Sequence, residues 1–265
     1  MPKNRRVEIS GDVVVKSYDD WDWFIREKRA YSRLAELGGG CTPSGWEIRT
    51  PEVLCVDDTR LSISMRLVPG RSLYDTLSSK GDVDWRALGE ALCAIHERLN
   101  ETSSCEVVYA DIGLGNVLFC PEERVIGFID PGVEFGEHAH LSQDLLMVLW
   151  TISTTRLRNA QLIWFAERDF LNGYSSASYS ERTRAAPKRL RQGYGMHGVY
   201  GRLISRSRRK GMVRTALFMT AFAFWKRAIM LKIGSVEGDS RLHQRSVPRT
   251  VTSVDEATPD EQMGR

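Results

Sequence analysis

Val107-Val-Tyr-Ala-Asp111-Ile-Gly-Leu-Gly-Asn116-Val-Leu-Phe119, followed after a polar turn by Val125-Ile-Gly-Phe-Ile-Asp130-Pro-Gly132, decides the reading of this chain. Short runs of β-formers alternate with Gly-rich turns. Asp111 follows one predicted strand, Asn116 immediately precedes a second, and Asp130 ends a third. Loop residues at strand ends can converge on one point. Two carboxylates and an amide oxygen converging there make a hard, oxygen-rich site suited to Mg²⁺.

Upstream, Val7–Ser10 and Val13–Lys16 flank Gly11-Asp12 and predict a tight hairpin, with Lys16 at the end of its second strand. Asp19 or Asp20 caps a predicted helix from Trp21 to Leu37, with Phe24, Tyr31, Leu34 and Leu37 as its apolar positions and Gly38-Gly39-Gly40 as its end. Lys16 supplies a positive charge for phosphate oxygens, and Glu27 on the helix can hold it by an ion pair. A metal to neutralise phosphate charge, a carboxylate to orient the attacking hydroxyl and a lysine on the donor phosphates are the parts phosphoryl transfer needs. Taken singly, each has a plainer reading: Asp111 and Asp130-Pro131-Gly132 as turn residues, Lys16 as a solvated strand end, Glu27 as one charge on an exposed helix face.

With those residues in order, the chain resembles the protein-kinase-like superfamily, specifically its aminoglycoside phosphotransferase and choline kinase branch. That branch carries a loop of the form H-G-D-x-x-x-x-N and a later I-D segment. Here the match is Tyr109-Ala110-Asp111 with Asn116, then Ile129-Asp130. The resemblance implies Asp111 as catalytic base, Asn116 and Asp130 as magnesium ligands, Lys16 on the donor phosphates of ATP, and Glu27 as its helix partner. Met65-Arg-Leu67-Val-Pro-Gly70 is similar to the segment that binds adenine through its backbone. Asp144 resembles an aspartate bracing the catalytic loop, and Phe170-Leu-Asn-Gly-Tyr174 is similar to a segment common in the branch. Two departures stand out. Only fifteen residues precede Lys16, room for one hairpin, so the phosphate-covering Gly-rich loop is shortened or absent, with Gly11 in its place. Tyr109 and Ala110 replace the family's histidine and glycine.

Composition bounds the alternatives. The chain has 265 residues, 42% hydrophobic and 27% charged, which fits a folded globular protein and not wholesale disorder. Its 5 cysteines are scattered without a C-x-x-C pair, so neither a zinc framework nor a disulfide scaffold is supported, and reduced thiols suit a cytoplasmic location. No P-loop sequence occurs. His138-Ala-His140 with Asp144 reads as a loop beside a structural aspartate, not a metal cluster. The net charge of +3 does not indicate a nucleic-acid binder, although Arg and Lys crowd the segment from Arg182 to Arg214. That segment reads as a solvated face, as an anionic-acceptor pocket, or as a patch for the anionic inner surface of a membrane.

The expectation is therefore an α+β, two-lobed protein-kinase-like fold. A reduced β-rich lobe with one helix spans 1–68, a mainly helical lobe spans 69–234, and 235–265 is a disordered tail. Predicted helices cover Trp85–Leu99, Leu141–Ile152, Asn159–Leu171 and Val213–Ile233. The expected activity is ATP- and Mg²⁺-dependent transfer of a γ-phosphate to a hydroxyl of a small molecule or sugar, with an anionic acceptor favoured by the basic segment. The other reading, motivated by the shortened or absent Gly-rich loop, is a catalytically weak or dead kinase-like scaffold that binds nucleotide and, through its basic C-terminal lobe, an anionic partner.

Overall fold

A computed structural model describes residues 5–35, 39–79, 81–101, 103–132, 134–135, 140–155 and 160–192. The helix expected over 213–233, the tail 235–265, His138 and the second half of the basic segment lie outside the described residues.

The first hundred residues run β1 (Arg5–Ser10), β2 (Val13–Tyr18), α1 (Trp21–Ala35), β3 (Gly40–Cys41), β4 (Glu47–Arg49), β5 (Val53–Asp57), β6 (Ser62–Arg66), β7 (Arg71–Ser72), α2 (Leu73–Ser78) and α3 (Trp85–Asn100). Then come β8 (Val107–Val108), β9 (Val117–Cys120), β10 (Val125–Phe128), β11 (Glu134–Phe135), α4 (Leu141–Thr155), α5 (Ala160–Ala177) and α6 (Glu181–Arg191). The class is mixed α+β, with the strands concentrated early and the long helices late, as expected.

The β1–β2 hairpin turns at Gly11, whose φ of +60° supplies the left-handed position that such turns need. The antiparallel sheet extends in the order β1-β2-β6-β5. Its pairing places Val7 opposite Lys16, Ile9 opposite Val14, Lys16 opposite Ile63 and Val14 opposite Met65. Directly paired residues share a face, so these side chains point one way. Asp20, one of the two predicted caps, accepts from Trp23 N at 2.9 Å and starts α1. Phe24, Tyr31, Ile63 and Met65 then form a small core between helix and sheet.

A second sheet has the order β3-β4-β10-β9-β7, with β4 parallel to β10. Residues from before the Pro69-Gly70 break are thus woven into the sheet that carries β9 and β10. The large core gathers α3, β8 to β10, α4, α5 and α6 around Leu92, Val107, Phe128, Leu149 and Phe170. Helices α3 and α5 cross closely because Gly89 abuts the Phe170 carbonyl and Gly173 abuts the Arg86 carbonyl; a side chain at either would strike backbone. The Gly of the Phe170–Tyr174 segment is explained by that crossing.

Candidate functional site

Lys16 lies in β2, alternating inward, and only 5% of it is exposed. A buried ammonium needs partners for its three N–H donors. Glu27 Oε2 is 3.3 Å from its Nζ and the Tyr31 hydroxyl is 2.6 Å away. Asp130 Oδ1 is the third partner, in direct ion-pair contact. Glu27 and Tyr31 are four residues apart on α1, so both heads fall on the same helix face. Tyr18, two residues along β2, donates to the same Glu27 Oε2 at 2.7 Å and adds a second hold on that carboxylate.

Asp130 follows β10 with a φ of +56°, a left-handed conformation that turns its carboxylate away from the strand direction and toward Lys16. Its neighbours are clamped to the loop carrying Asp111 and Asn116. Ile129 N donates to the Asn116 carbonyl at 2.9 Å, and Gly132 N donates to the Tyr109 carbonyl at 3.1 Å. The Tyr109 hydroxyl donates to the Ile129 carbonyl at 2.7 Å. A Cβ added to Gly132 would stand 3.0 Å from the Asp111 Cβ, which shows how closely the two segments lie. Within the loop, Asn116 Nδ2 donates to the Asp111 carbonyl at 2.8 Å. That bond uses the amino end of the amide and leaves the oxygen end directed elsewhere. Burial, with lesser contributions from the charges of Tyr31 and Asp111, pushes the Tyr109 phenol well above its usual range, so it remains a neutral donor.

The loop is also braced from below. Asp144, fully buried on α4, accepts from Tyr109 N at 2.7 Å and Ala110 N at 3.0 Å. His96 Nε2 lies 3.0 Å from the same carboxylate, and His96 Nδ1 lies 2.8 Å from the Tyr174 hydroxyl. Asp144 is thereby committed to the loop and to His96, while His140 Nδ1 lies 3.5 Å from Glu106.

The structure thus brings Lys16, Glu27 and Asp130 into contact and ties the loop of Asp111 and Asn116 to the same segment. Met65 sits buried beneath the sheet, while Leu67 is 40% exposed and its N–H is spent on the Asp12 carbonyl at 2.7 Å. Next to Lys16, on the same face, Val7 and Ile9 are exposed apolar side chains at the sheet edge. Three participants escaped the sequence reading. Tyr31 reads in the sequence as an apolar position of α1, and nothing in the sequence singles out Tyr18 or His96. The i, i+4 spacing of Glu27 and Tyr31 is the one signal that could have exposed Tyr31.

The donor set suits Mg²⁺: a buried carboxylate at Asp130 and an amide oxygen at Asn116 are hard oxygen ligands, and phosphate oxygens would complete the shell. Among the described residues no group of three or more His, Cys, Asp or Glu could hold a metal by itself. The described part of the basic segment is largely engaged. Arg182 donates to the Ser103 and Ser104 carbonyls at 2.7 and 3.0 Å, Arg184 contacts the Tyr179 carbonyl, and Arg189 pairs with Glu106. No helix among the described residues is long and apolar enough to cross a membrane.

No family model matches the chain, and no curated protein matches it either. Among solved structures, it is similar to a choline/ethanolamine kinase family protein from Mesorhizobium loti at 12% identity and a TM-score of 0.47, covering 88% of this chain and 85% of that one. It is also similar to the bifunctional kinase-methyltransferase WbdD, at 17% identity and a TM-score of 0.41 over 71% of this chain and 47% of that one. Monomeric WbdD gives 20% identity and a TM-score of 0.40, covering 65% and 44%. The chain spans about half the length of WbdD.

Proposed function

We propose that this chain is an ATP- and Mg²⁺-dependent phosphotransferase that moves the γ-phosphate to a hydroxyl of a small molecule or sugar. The observation that carries the reading is the Lys16 ammonium, held by Glu27 of α1 and set directly against Asp130 at the end of β10. An amine fixed by a helix carboxylate can point at phosphate oxygens, and a carboxylate beside it can hold the cation that accompanies them.

Each residue then has a task. Lys16 exchanges its contact with Asp130 for donor phosphate oxygens and remains anchored by Glu27. Asp130 and Asn116 are the oxygen donors to Mg²⁺, which supplies charge neutralisation on the phosphates when bound. Asp111, half-buried in the loop, orients the acceptor hydroxyl and takes its proton at the carboxylate oxygen. Ile9 and Val14, on the Lys16 face of the sheet, offer an apolar surface for the base, bordered by Met65 of β6 and by Leu67 just after it. The acceptor class rests on the resemblance and not on the basic segment, whose described arginines serve the fold.

The test is thermal stabilisation by millimolar ATP with and without Mg²⁺, on the wild-type chain and on Asp130→Ala. A Mg²⁺-dependent shift lost in Asp130→Ala supports the site. Absence of any shift in the wild type rejects the site; a Mg²⁺-dependent shift with no phosphate transferred to any acceptor favours the scaffold reading instead. Labelled ATP with a fractionated metabolite and protein extract then identifies the acceptor.

A further inference from the structure

We infer that Tyr31 is a positioning residue, a third, uncharged holder of Lys16 that links helix α1 to both the phosphate-binding amine and Asp130. This rests on the phosphotransferase reading and extends it to a residue outside the set that resemblance assigns. The Tyr31 hydroxyl is 2.6 Å from Lys16 Nζ and 3.5 Å from Asp130 Oδ1. Lys16 Nζ also stands 5.1 Å from the Tyr31 ring centroid. The residue is 1% exposed and its ring belongs to the small core with Phe24 and Met65.

The chemistry of the ammonium gives the hydroxyl its role. Lys16 has three donors, and among the described residues Glu27, Tyr31 and Asp130 offer it oxygens. When Asp130 turns to a cation and Lys16 turns to phosphate, one of the three is given up. Glu27 and Tyr31, both on α1, are the two that remain. A single carboxylate leaves the flexible lysine stem free to swing about one contact; a second contact from the next helical turn fixes its direction. A hydroxyl does this without adding negative charge opposite the incoming phosphates, which a second carboxylate on the helix would do.

The experiment compares wild type with Tyr31→Phe, which keeps the ring and removes only the oxygen. Kd for Mg²⁺-ATP is read by calorimetry, kcat and KM by coupled assay, and fold by thermal midpoint. The expected result is a Kd and a KM for ATP raised about tenfold, the size of one hydrogen bond to a charged group, with kcat changed far less and the thermal midpoint close to wild type. Tyr31→His, which restores a ring with a polar atom, should recover part of the affinity. Equal Kd in wild type and Tyr31→Phe overturns the inference while leaving the phosphotransferase reading intact. A loss that merely follows a fallen midpoint, with no recovery in Tyr31→His, overturns it as well. A wild-type chain that binds no nucleotide overturns both.

Discussion

Asp144 accepts the Tyr109 backbone N–H at 2.7 Å from a position with no solvent exposure, so a helix of the large core dictates where the loop of Asp111 begins. The same carboxylate takes the Ala110 N–H and faces His96. Asp144→Ala would strand two buried N–H donors and a buried imidazole. The expected loss is ~3–5 kcal/mol, read as a lowered urea midpoint. Asp144→Asn keeps one acceptor oxygen and should lose less.

Asp111→Asn separates chemistry from binding. The side chain is half-buried and the replacement has its shape, so fold and nucleotide affinity should hold. Phosphate transfer should fall by roughly 10²–10⁴-fold, the usual contribution of a positioned general base. Single-turnover transfer from labelled ATP measures it; retained turnover would remove Asp111 from its assigned task.

Lys16→Met leaves the Glu27 and Asp130 carboxylates buried without their shared cation. We expect a stability loss of ~3 kcal/mol together with loss of nucleotide binding. Adding Glu27→Leu should return much of the stability and none of the binding. Thermal midpoint and calorimetry on the single and double variants distinguish a lysine needed only for folding from one needed for the ligand.

Ala110 holds a φ of +70°, which costs an alanine roughly 1–2 kcal/mol relative to a right-handed conformation. Ala110→Gly removes that cost but adds freedom to the unfolded chain, leaving a net gain of roughly 0.5–1 kcal/mol. A variant less stable than wild type would mean that the buried Ala110 methyl contributes more than the strain.

Glu97 provides a pH signature. Burial raises its carboxyl, but the Ser180 hydroxyl and N–H, the Thr183 hydroxyl and the Tyr179 N–H outweigh this and hold it below the ordinary range of 4.5. A depressed folded value gives stability that is full above the unfolded value and is lost as pH falls through the folded one. Glu97→Gln should therefore be destabilised at pH 7, with the gap to wild type closing as the pH falls below 4.5 and through the folded value. Unfolding midpoints across that range test it; a constant gap would reject the linkage.

Local signals were legible where one residue dictates one conformation. Gly11 announced the hairpin and Asp20, one of the two candidate caps, the start of α1, and the strict apolar alternation of Leu61, Ile63, Met65 and Leu67 reads as a strand, which is β6. Strands of two or three residues, such as β4, β7 and β11, were not, because they pair with β10, β9 and β8, far off in sequence. Helix α6 was hidden in Ser/Arg-rich sequence, since only Thr183, Ala186, Pro187 and Leu190 turn inward. Candidate residues of the site were nameable from motif order. Their convergence was not, because it is built from main-chain bonds such as Ile129 N to the Asn116 carbonyl, which no side-chain pattern encodes.

The parallel pairing of β4 with β10 orders events during synthesis. Ile48 and Trp46 leave the ribosome some eighty residues before Ile126, the partner of Ile48, exists. The β1-β2-β6-β5 sheet and α1 need nothing beyond residue 66 and can close early. The nascent chain must therefore carry a pair of uncovered apolar side chains through the making of α2, α3, β8 and β9, an interval in which a chaperone has something to hold.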